Sequence, residues 1–453
     1  MAGSTDMTKG SPFGILWKFI LPMILGNLFQ QFYSMVDGII VGRFVSAGAL
    51  AAIGADMAVI NITVFLIIGF CVGTSVLLAQ YCGAGNEEMM RNTFGMALLL
   101  HLAEAVVISL AGLSLARQVL ALIHTPAELM EDAVTYCMIN LGTCFAPVFY
   151  NLFSNVLRAL GNSRMPLIAL IISSVMNIIL DLLFVIAFHW GVAGVGIATA
   201  ISQAVSAIFC GVYIVRRCRF LLPKRKNFRW NKEVVINIIR IGVPTALQNM
   251  FSAIGLVAVQ STINSFGTSV MAAFTAGGKI DTLALQPMIS VGNGISTYVA
   301  QNYGAKQSHR IREGVRSALL LSVIFCGVIT LVIRLFGGTL TGMFIKPEEA
   351  GAVLPIAKQY LNVVSTFYLV GYAYYIFSNA MRGMGRASIP LASTFAEVAV
   401  KVAAAAALAK LVGLEGLWYA WPLAWAAGLV PSLLSYLRVK WDSGFAAAET
   451  ENQ

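Results

Sequence analysis

The chain has 453 residues; 30 are Lys or Arg and 20 are Asp or Glu, so only 11% are charged, while 58% are hydrophobic and the mean hydropathy is +0.80. A soluble protein carries about 25% charged residues, and a soluble domain this poor in charge would expose large apolar patches. Disorder, coiled coil, collagen and a small disulfide scaffold are excluded as well, which leaves an all-α polytopic membrane protein.

A bilayer core needs about 20 apolar residues per helix. In chain order, apolar runs predict spans near 16–42, 50–79, 94–115, 134–157, 166–189 and 192–215. After a break they resume near 239–264, 271–300, 316–336, 354–380, 389–411 and 416–438. The fold class is therefore read as twelve transmembrane helices in two six-helix lobes. Residues 1–15 form a cytoplasmic N-tail, 16–215 the N-lobe, 216–238 a basic linker, 239–438 the C-lobe and 439–453 a cytoplasmic C-tail. The first apolar run is read as a span, since no charged leader with a cleavage site precedes it.

The linker is the most hydrophilic stretch. It holds eight basic residues between Arg216 and Lys232, with Glu233 the only acid nearby. With twelve spans, the even-numbered connections share a side with both termini, and that side collects 22 of the 30 basic residues. Positive residues favour the cytoplasmic side, so both termini and the linker are expected in the cytoplasm, as for a bacterial inner-membrane protein. The net charge of +10 is then a topology signal facing anionic lipid, and no nucleic-acid partner is expected. The seven cysteines contain no C-x-x-C pair and are read as small apolar core residues.

The halves repeat. Ala79-Gln80-Tyr81-Cys82-Gly83-Ala84 returns as Ala300-Gln301-Asn302-Tyr303-Gly304-Ala305, and Arg158-Ala159-Leu160-Gly161 with Pro166 returns as Arg382-Gly383-Met384-Gly385 with Pro390. Pro22 with Asn27 returns as Pro244 with Asn249, and Gly191 to Gly194 as Gly413 to Gly416, so the four offsets are 221, 224, 222 and 222. Each half has an even number of spans, which implies a pseudo-two-fold axis along the membrane normal and a cleft suited to alternating access.

Polar stripes mark the working face. In span 1, Asn27, Gln30, Gln31, Ser34, Asp37 and Gly38 recur every three or four residues on one helix face, and Pro22 predicts a kink on the same helix. Span 4 carries Tyr136, Asn140, Pro147, Asn151 and Asn155; span 5 carries Asn177 and Asp181; span 6 carries Thr199, Ser202, Gln203 and Ser206. Isolated hydroxyls such as Ser206 are as well explained as glue between helices. Asp37 and Asp181 are different. Apart from Lys18 at the cytoplasmic end of span 1, no basic residue lies inside their spans, so a proton or a cation must neutralise them in low dielectric. The oxygens of Asp37, Asn177, Asp181 and Thr199 could also ligate Na⁺. At the repeat offsets Asp37 maps to Val259 and Asp181 to Ala405, so this pair exists in one half only.

The second half offers Glu397 and Lys401 at helical i, i+4 spacing. They read either as a self-neutralising structural pair or as a polar patch on a substrate cavity. Other candidate cavity residues are Gln30, Gln31, Ser34, Met250, Phe251, Gln260, Tyr368 and Tyr372, a lining suited to apolar or cationic ligands. Asp56 and Lys279, at offset 223, are candidate gate residues, with Asp281 a competitor for Lys279; the plainer reading puts Asp56 and Lys279 near span ends, reaching the interface. In span 3, His101 and Glu104 share a face and suit local pairing.

These residues resemble the multidrug and toxic compound extrusion (MATE) family of the MOP superfamily, nearest its DinF-like and MepA-like bacterial branch. The resemblance rests on the duplicated twelve-span layout, Pro22 with Tyr33-Ser34-Met35-Val36-Asp37-Gly38, the Ala-Gln-x-x-Gly-Ala repeats and the Arg-x-x-Gly repeats with their prolines. It implies a cation or proton site at Asp37, Asn177, Asp181 and Thr199, with Tyr33, Tyr136 and Asn151 around it. It also implies a monomeric antiporter, not an enzyme, with no cofactor, that exports amphipathic, often cationic compounds in exchange for H⁺ or Na⁺. The span 7 Glu and span 10 Asp of NorM-type exporters are missing: span 7 has Val259 and Gln260, and span 10 has no acid. Two other classes stay open. A lipid-linked oligosaccharide flippase would need more intramembrane basic residues than Lys279 and Lys401. An intramembrane aspartyl protease would need a Gly-x-Gly-Asp setting, and Asp181 follows Ile178-Ile179-Leu180.

Overall fold

The computed structural model describes residues 5–441. Fifteen α-helices are formed there, and no strand. Apolar sequence in lipid leaves the backbone no partner except itself, which is why only helices appear in these spans. Nine helices are long and apolar enough to cross a membrane, or ten with the pair α4 (Met130–Gly142) and α5 (Phe145–Ala159), bent by 46°. The other two expected spans fall on the more polar α9 (Thr268–Gly304) and on the broken pair α11 (Ala350–Thr366) and α12 (Tyr368–Gly383). The remaining spans are α1 (Pro12–Ile40), α2 (Ala47–Gly83), α3 (Glu87–Leu122), α6 (Arg164–Leu182), α7 (Gly191–Arg217), α8 (Lys232–Asn264), α10 (Ser308–Gly342) and α13 (Ser388–Leu411), with α14 (Leu414–Trp418) and α15 (Ala420–Leu437) as the last.

Polar residues punctuate the ends. The Ser46 hydroxyl accepts from the Ala49 N–H at 2.9 Å to start α2, and the Asn86 side chain accepts from Met89 N–H at 3.0 Å to start α3. Glu87 and Glu88 fill the first turn of α3, where the helix dipole favours negative charge. The repeated Arg-x-x-Gly motif ends α5 and α12 alike: Gly161 and Gly385 take φ of +80° and +81°, a conformation that favours glycine.

The chain divides into two compact units, and the division does not follow the linker. Unit 1 holds Leu21–Ala246 and the described residues before Met7; unit 2 holds Met7–Ile20 and the chain from Leu247. The linker expected to separate the lobes thus belongs to unit 1. Arg91 Nε donates to the Phe220 carbonyl at 2.6 Å, Lys226 pairs with Glu88 at 2.6 Å, and the Asn227 amide bonds Asn92. The first turns of α1, expected in the N-lobe, pack instead in unit 2, where Trp17 stacks on Phe325 at 5.7 Å and Ile20 packs against Gly294. Residues 7–10, read from sequence as tail, are fastened there too. Met7 is fully buried, its N–H donates to Gln301 at 3.1 Å, and Asn302 and Arg310 both donate to its carbonyl at 3.1 Å. Both helices that change unit, α1 and α8, do so within two residues of an internal proline, Pro22 and Pro244.

In unit 1, α2 and the first half of α8 approach through glycine. A Cβ on Gly73 would stand 2.4 Å from the Ile238 carbonyl oxygen, whereas one on Gly327 of α10 would meet nothing within 4 Å. Gly73→Ala is therefore expected to destabilise the protein by about 1–3 kcal/mol through overpacking, read as a lower melting temperature in detergent. Gly327→Ala is expected to be neutral or to gain up to about 1 kcal/mol of helix propensity. Equal melting of the two variants would contradict this close approach.

Candidate functional site

Unit 1 brings the first-half polar stripes together. Asp37 sits one turn before the end of α1, and Asp181 one residue before the end of α6. Each helix then passes into a π-helical turn, Val41–Val45 after Asp37 and Leu183–Ala187 after Asp181. Such turns are rare and cluster at functional sites, because the wider turn leaves helical hydrogen bonds out of register. Here they fall directly after the two acids.

Asp37 and Asp181 bring their carboxyl groups within interaction range of each other. Two carboxylates can bond only if one keeps a proton, since an ionised carboxylate has acceptors and no donor. Asp181 is fully buried and Asn177 is 1% exposed. One turn before Asp181, the Asn177 amide, with its oxygen and nitrogen assigned so that both meet partners, donates to Asp181 Oδ2 at 2.8 Å and accepts from the Thr199 N–H at 3.3 Å. The Tyr33 hydroxyl, one turn before Asp37, lies near the Thr199 side chain. Tyr136 is 7% exposed and packs with Val41, Val185 and Val195. One oxygen of each acid, Asp37 Oδ1 and Asp181 Oδ1, is buried with no hydrogen-bond partner.

Thr199 also borders a second feature. A cavity of about 170 Å³ is lined by Thr63, Asn140, Pro147, Asn151, Thr199 and Gln203 together with apolar side chains. The stripes of spans 4 and 6 therefore meet at a polar hollow that shares one wall with the acid pair. Thr63 carried no sequence signal, belonging to no recurring polar stripe of α2, and it bonds its own helix at the Val59 carbonyl, 3.1 Å away. Ser206 donates to the Ala169 carbonyl at 3.2 Å, as helix glue does.

Asp56 departs from the reading that put it near an interface. It lies a quarter of the way along α2, is fully buried, and neither carboxyl oxygen has a hydrogen-bond partner. It lies in the electrostatic field of Tyr136, which sequence spacing could not reveal. Lys279 is exposed, with its ammonium 4.8 Å from the Phe344 ring centre. His101 and Glu104 do pair locally, at 2.7 Å. On α1, Gln30 and Ser34 are exposed and Gln31 is half-buried.

In unit 2, Lys401 and Glu397 form an ion pair along α13. Phe251 packs on Phe395 with ring centres 4.1 Å apart, and Gln260 donates to Asn264 at 2.8 Å. Met250 is half-buried. Tyr368 and Tyr372, read from sequence as cavity wall, are each 1% exposed and belong to the packed interior of the unit. Span 10 is aromatic enough to turn its rings inward against other helices, and Tyr368 has a carboxyl to bond there: it donates to Asp281 at 2.5 Å.

The MatE family model matches residues 22–183 and again 244–406, which coincides with the internal repeat. Among curated proteins, the chain is 28% identical to the probable multidrug resistance protein YoeA of Bacillus subtilis, covering 96% of this chain and 95% of that one. It is 24% identical to the probable multidrug resistance protein NorM of Thermotoga maritima, over 94% and 92% of the two chains. Among solved structures, the outward-facing conformation of a multidrug resistance MATE family transporter of the MOP superfamily superposes with a TM-score of 0.90 at 23% identity, covering 99% of both chains.

The Asn177–Asp181 bond yields a measurable coupling. Asn177→Ala removes the donor from a buried carboxyl, which costs about 1–3 kcal/mol. Asp181→Leu removes the need for it. In a double-mutant cycle read by thermal denaturation, the two changes are expected to be non-additive by a similar amount. Strict additivity would mean that the amide does not serve Asp181.

Proposed function

The chain belongs to the MatE family, and from that premise we propose that it is a secondary active antiporter exporting amphipathic, cationic small molecules by alternating access. The coupling ion binds in unit 1, at Asp37 and Asp181, and the cell's ion gradient drives the cycle. A bacterial inner membrane with both termini cytoplasmic is the setting that the basic-residue distribution supports. The names of the relatives support drug-like substrates, and the cavity beside Thr199 offers amide and hydroxyl groups for their polar atoms.

One observation carries this reading: two acidic side chains from different helices come within interaction range inside an apolar unit, each with an oxygen left unpartnered. An uncompensated buried charge costs several kcal/mol even after relaxation, so the occupied and empty sites favour different packing of α1 against α6. Binding a proton removes one charge. Release restores it and opens the contact. Pro22 leaves a carbonyl of α1 without its helical donor, and the π turns do the same beyond each acid, so α1 can repack locally rather than unfold. Asn177 and Thr199 hold Asp181 in place while Asp37, on the more exposed helix, moves.

The shared carboxyl contact favours H⁺. Na⁺ is a second reading, supported by the unpartnered oxygens and the Thr199 hydroxyl: a small cation takes oxygen ligands of this type, and no group of three or more His, Cys, Asp or Glu exists among the described residues to hold a harder-won metal.

Asp37→Asn and Asp181→Asn are expected to reduce drug resistance of an exporter-deficient strain to the level of empty vector, with membrane expression unchanged. Near-normal resistance in both variants would sink the proposal. In proteoliposomes, imposing the pH and Na⁺ gradients separately is expected to give substrate movement with the first. Movement with the second alone would assign Na⁺ to the site.

A further inference from the structure

Unit 2 contains a carboxyl that the coupling site does not use. Asp281 lies in the first half of α9 and is 6% exposed. Two phenols close on it. The Tyr360 hydroxyl donates to Oδ2 at 3.0 Å and the Tyr368 hydroxyl donates to Oδ1 at 2.5 Å. Both rings are 1% exposed. Tyr360 packs edge-on against Phe274, Trp418 and Trp421 with ring centres 5.3, 5.1 and 5.6 Å away, and Tyr368 lies 6.0 Å from Trp425. The aromatic packing fixes the two rings, so the oxygens of Asp281 have these two phenols as their hydrogen-bond donors among the described residues.

The charged groups around it are committed elsewhere. Lys279, on the same helix, lies over Phe344. Lys401 of α13 is within electrostatic reach but pairs with Glu397. From α12, Tyr372 stands near Tyr368 with its own hydroxyl unpartnered, and from α10, Cys326 stands near Tyr372. Among the described residues Asp281 has no ion pair.

The position of the two phenols is mechanical as well as electrostatic. Tyr360 belongs to α11 and Tyr368 is the first residue of α12; between them the chain leaves helical geometry at Phe367, with φ −105° and ψ 7°. One carboxyl therefore ties both arms of a broken span. The repeat places a tyrosine and a break at the equivalent positions of the other half, without the second phenol: Tyr360 minus 224 is Tyr136, Thr366 minus 224 is Gly142, the last residue of α4 before the bend, and Tyr368 minus 224 is Cys144.

We propose that Asp281 is a second proton-binding site, with Tyr360 and Tyr368 as positioning residues, and that its protonation state sets whether the break between α11 and α12 is clasped. The ionised carboxyl accepts from both phenols and holds both arms. A proton taken from water onto Oδ2, the oxygen with the longer bond, turns that oxygen into a donor. The Tyr360 hydroxyl must then rotate to accept or let go, and one arm is released. Returning the proton to water restores the clasp. Only the part this plays in a transport cycle rests on the antiport reading; the site itself rests on the geometry of unit 2.

Infrared difference spectroscopy of the full-length protein in lipid nanodiscs tests this through a full acid-to-base titration. A carboxylic-acid C=O band is expected in the wild type and lost in Asp281→Asn. In Tyr360→Phe and Tyr368→Phe, which keep the rings and the packing, the band's titration midpoint is expected to move by about one pH unit, the equivalent of one hydrogen bond to a charged group. Asp281→Asn spectra that superimpose on the wild type would overturn the proposal. So would phenylalanine variants whose midpoint stays fixed, a result that also decides the matter if Asp281→Asn fails to fold. The two readings fail separately, since efflux retained by Asp37→Asn strikes the unit 1 site and leaves the Asp281 band to be read on its own.

Discussion

A carboxyl inside an apolar helix bundle has to be neutralised, and the architecture around Asp37 and Asp181 follows from that requirement. Each acid alone would force its helix toward water. Placed together, under the proposed function they share one proton or one cation, and the bundle closes around the pair. The neighbours are chosen accordingly: Asn177 supplies a donor without a charge, and Thr199 joins Asn177, Tyr33 and the cavity wall. No Lys or Arg within ion-pair distance cancels the charge permanently among the described residues, which is what the proposed coupling to an ion gradient requires. A permanent ion pair would have stabilised the same acids and made them silent.

The helices that carry this pair are built to yield. A straight α-helix transmits a local change only as a rigid rod. α1 has Pro22 before Asp37 and a π turn after it, and α6 has a π turn after Asp181. Each irregularity frees backbone groups that can re-form in a second arrangement at modest cost. Since α1 begins in unit 2 and changes unit beside Pro22, the residue best placed to bend is also the one at which the helix exchanges its packing partners.

Much of this was legible in the sequence, and what was not has a physical reason. Hydropathy gave all twelve spans, because lipid imposes a length and a composition on every crossing helix. The repeat was legible because both halves keep the same turn chemistry at Gly161 and Gly385. The acid pair was legible through charge scarcity. By contrast, the unit to which the first turns of α1 belong is not a property of their hydropathy; Trp17 and Ile20 read as lipid-facing or core alike. Asp56 looked like an end-of-span residue because composition says nothing about which helix face is covered. The partners of Asp281 stand 79 and 87 residues away, beyond any periodicity, and Tyr368 looked like cavity lining because an aromatic side chain carries the same signal whether it faces a ligand or a neighbouring helix.

The asymmetry between the halves then takes on a different meaning. Judged by equivalent positions alone, the second half lost its acids, Asp37 giving way to Val259 and Asp181 to Ala405. Judged by packing, unit 2 keeps an acid on another helix, held by phenols on both sides of the break equivalent to the bend of α4 and α5. The Glu397–Lys401 pair in the same unit is the instructive contrast. Its charges cancel along one helix face, so a change of proton activity has little to act on. Asp281 is held by neutral donors, which stabilise a carboxylate without neutralising it, and a group held in that way is the kind that can exchange a proton and alter what it holds.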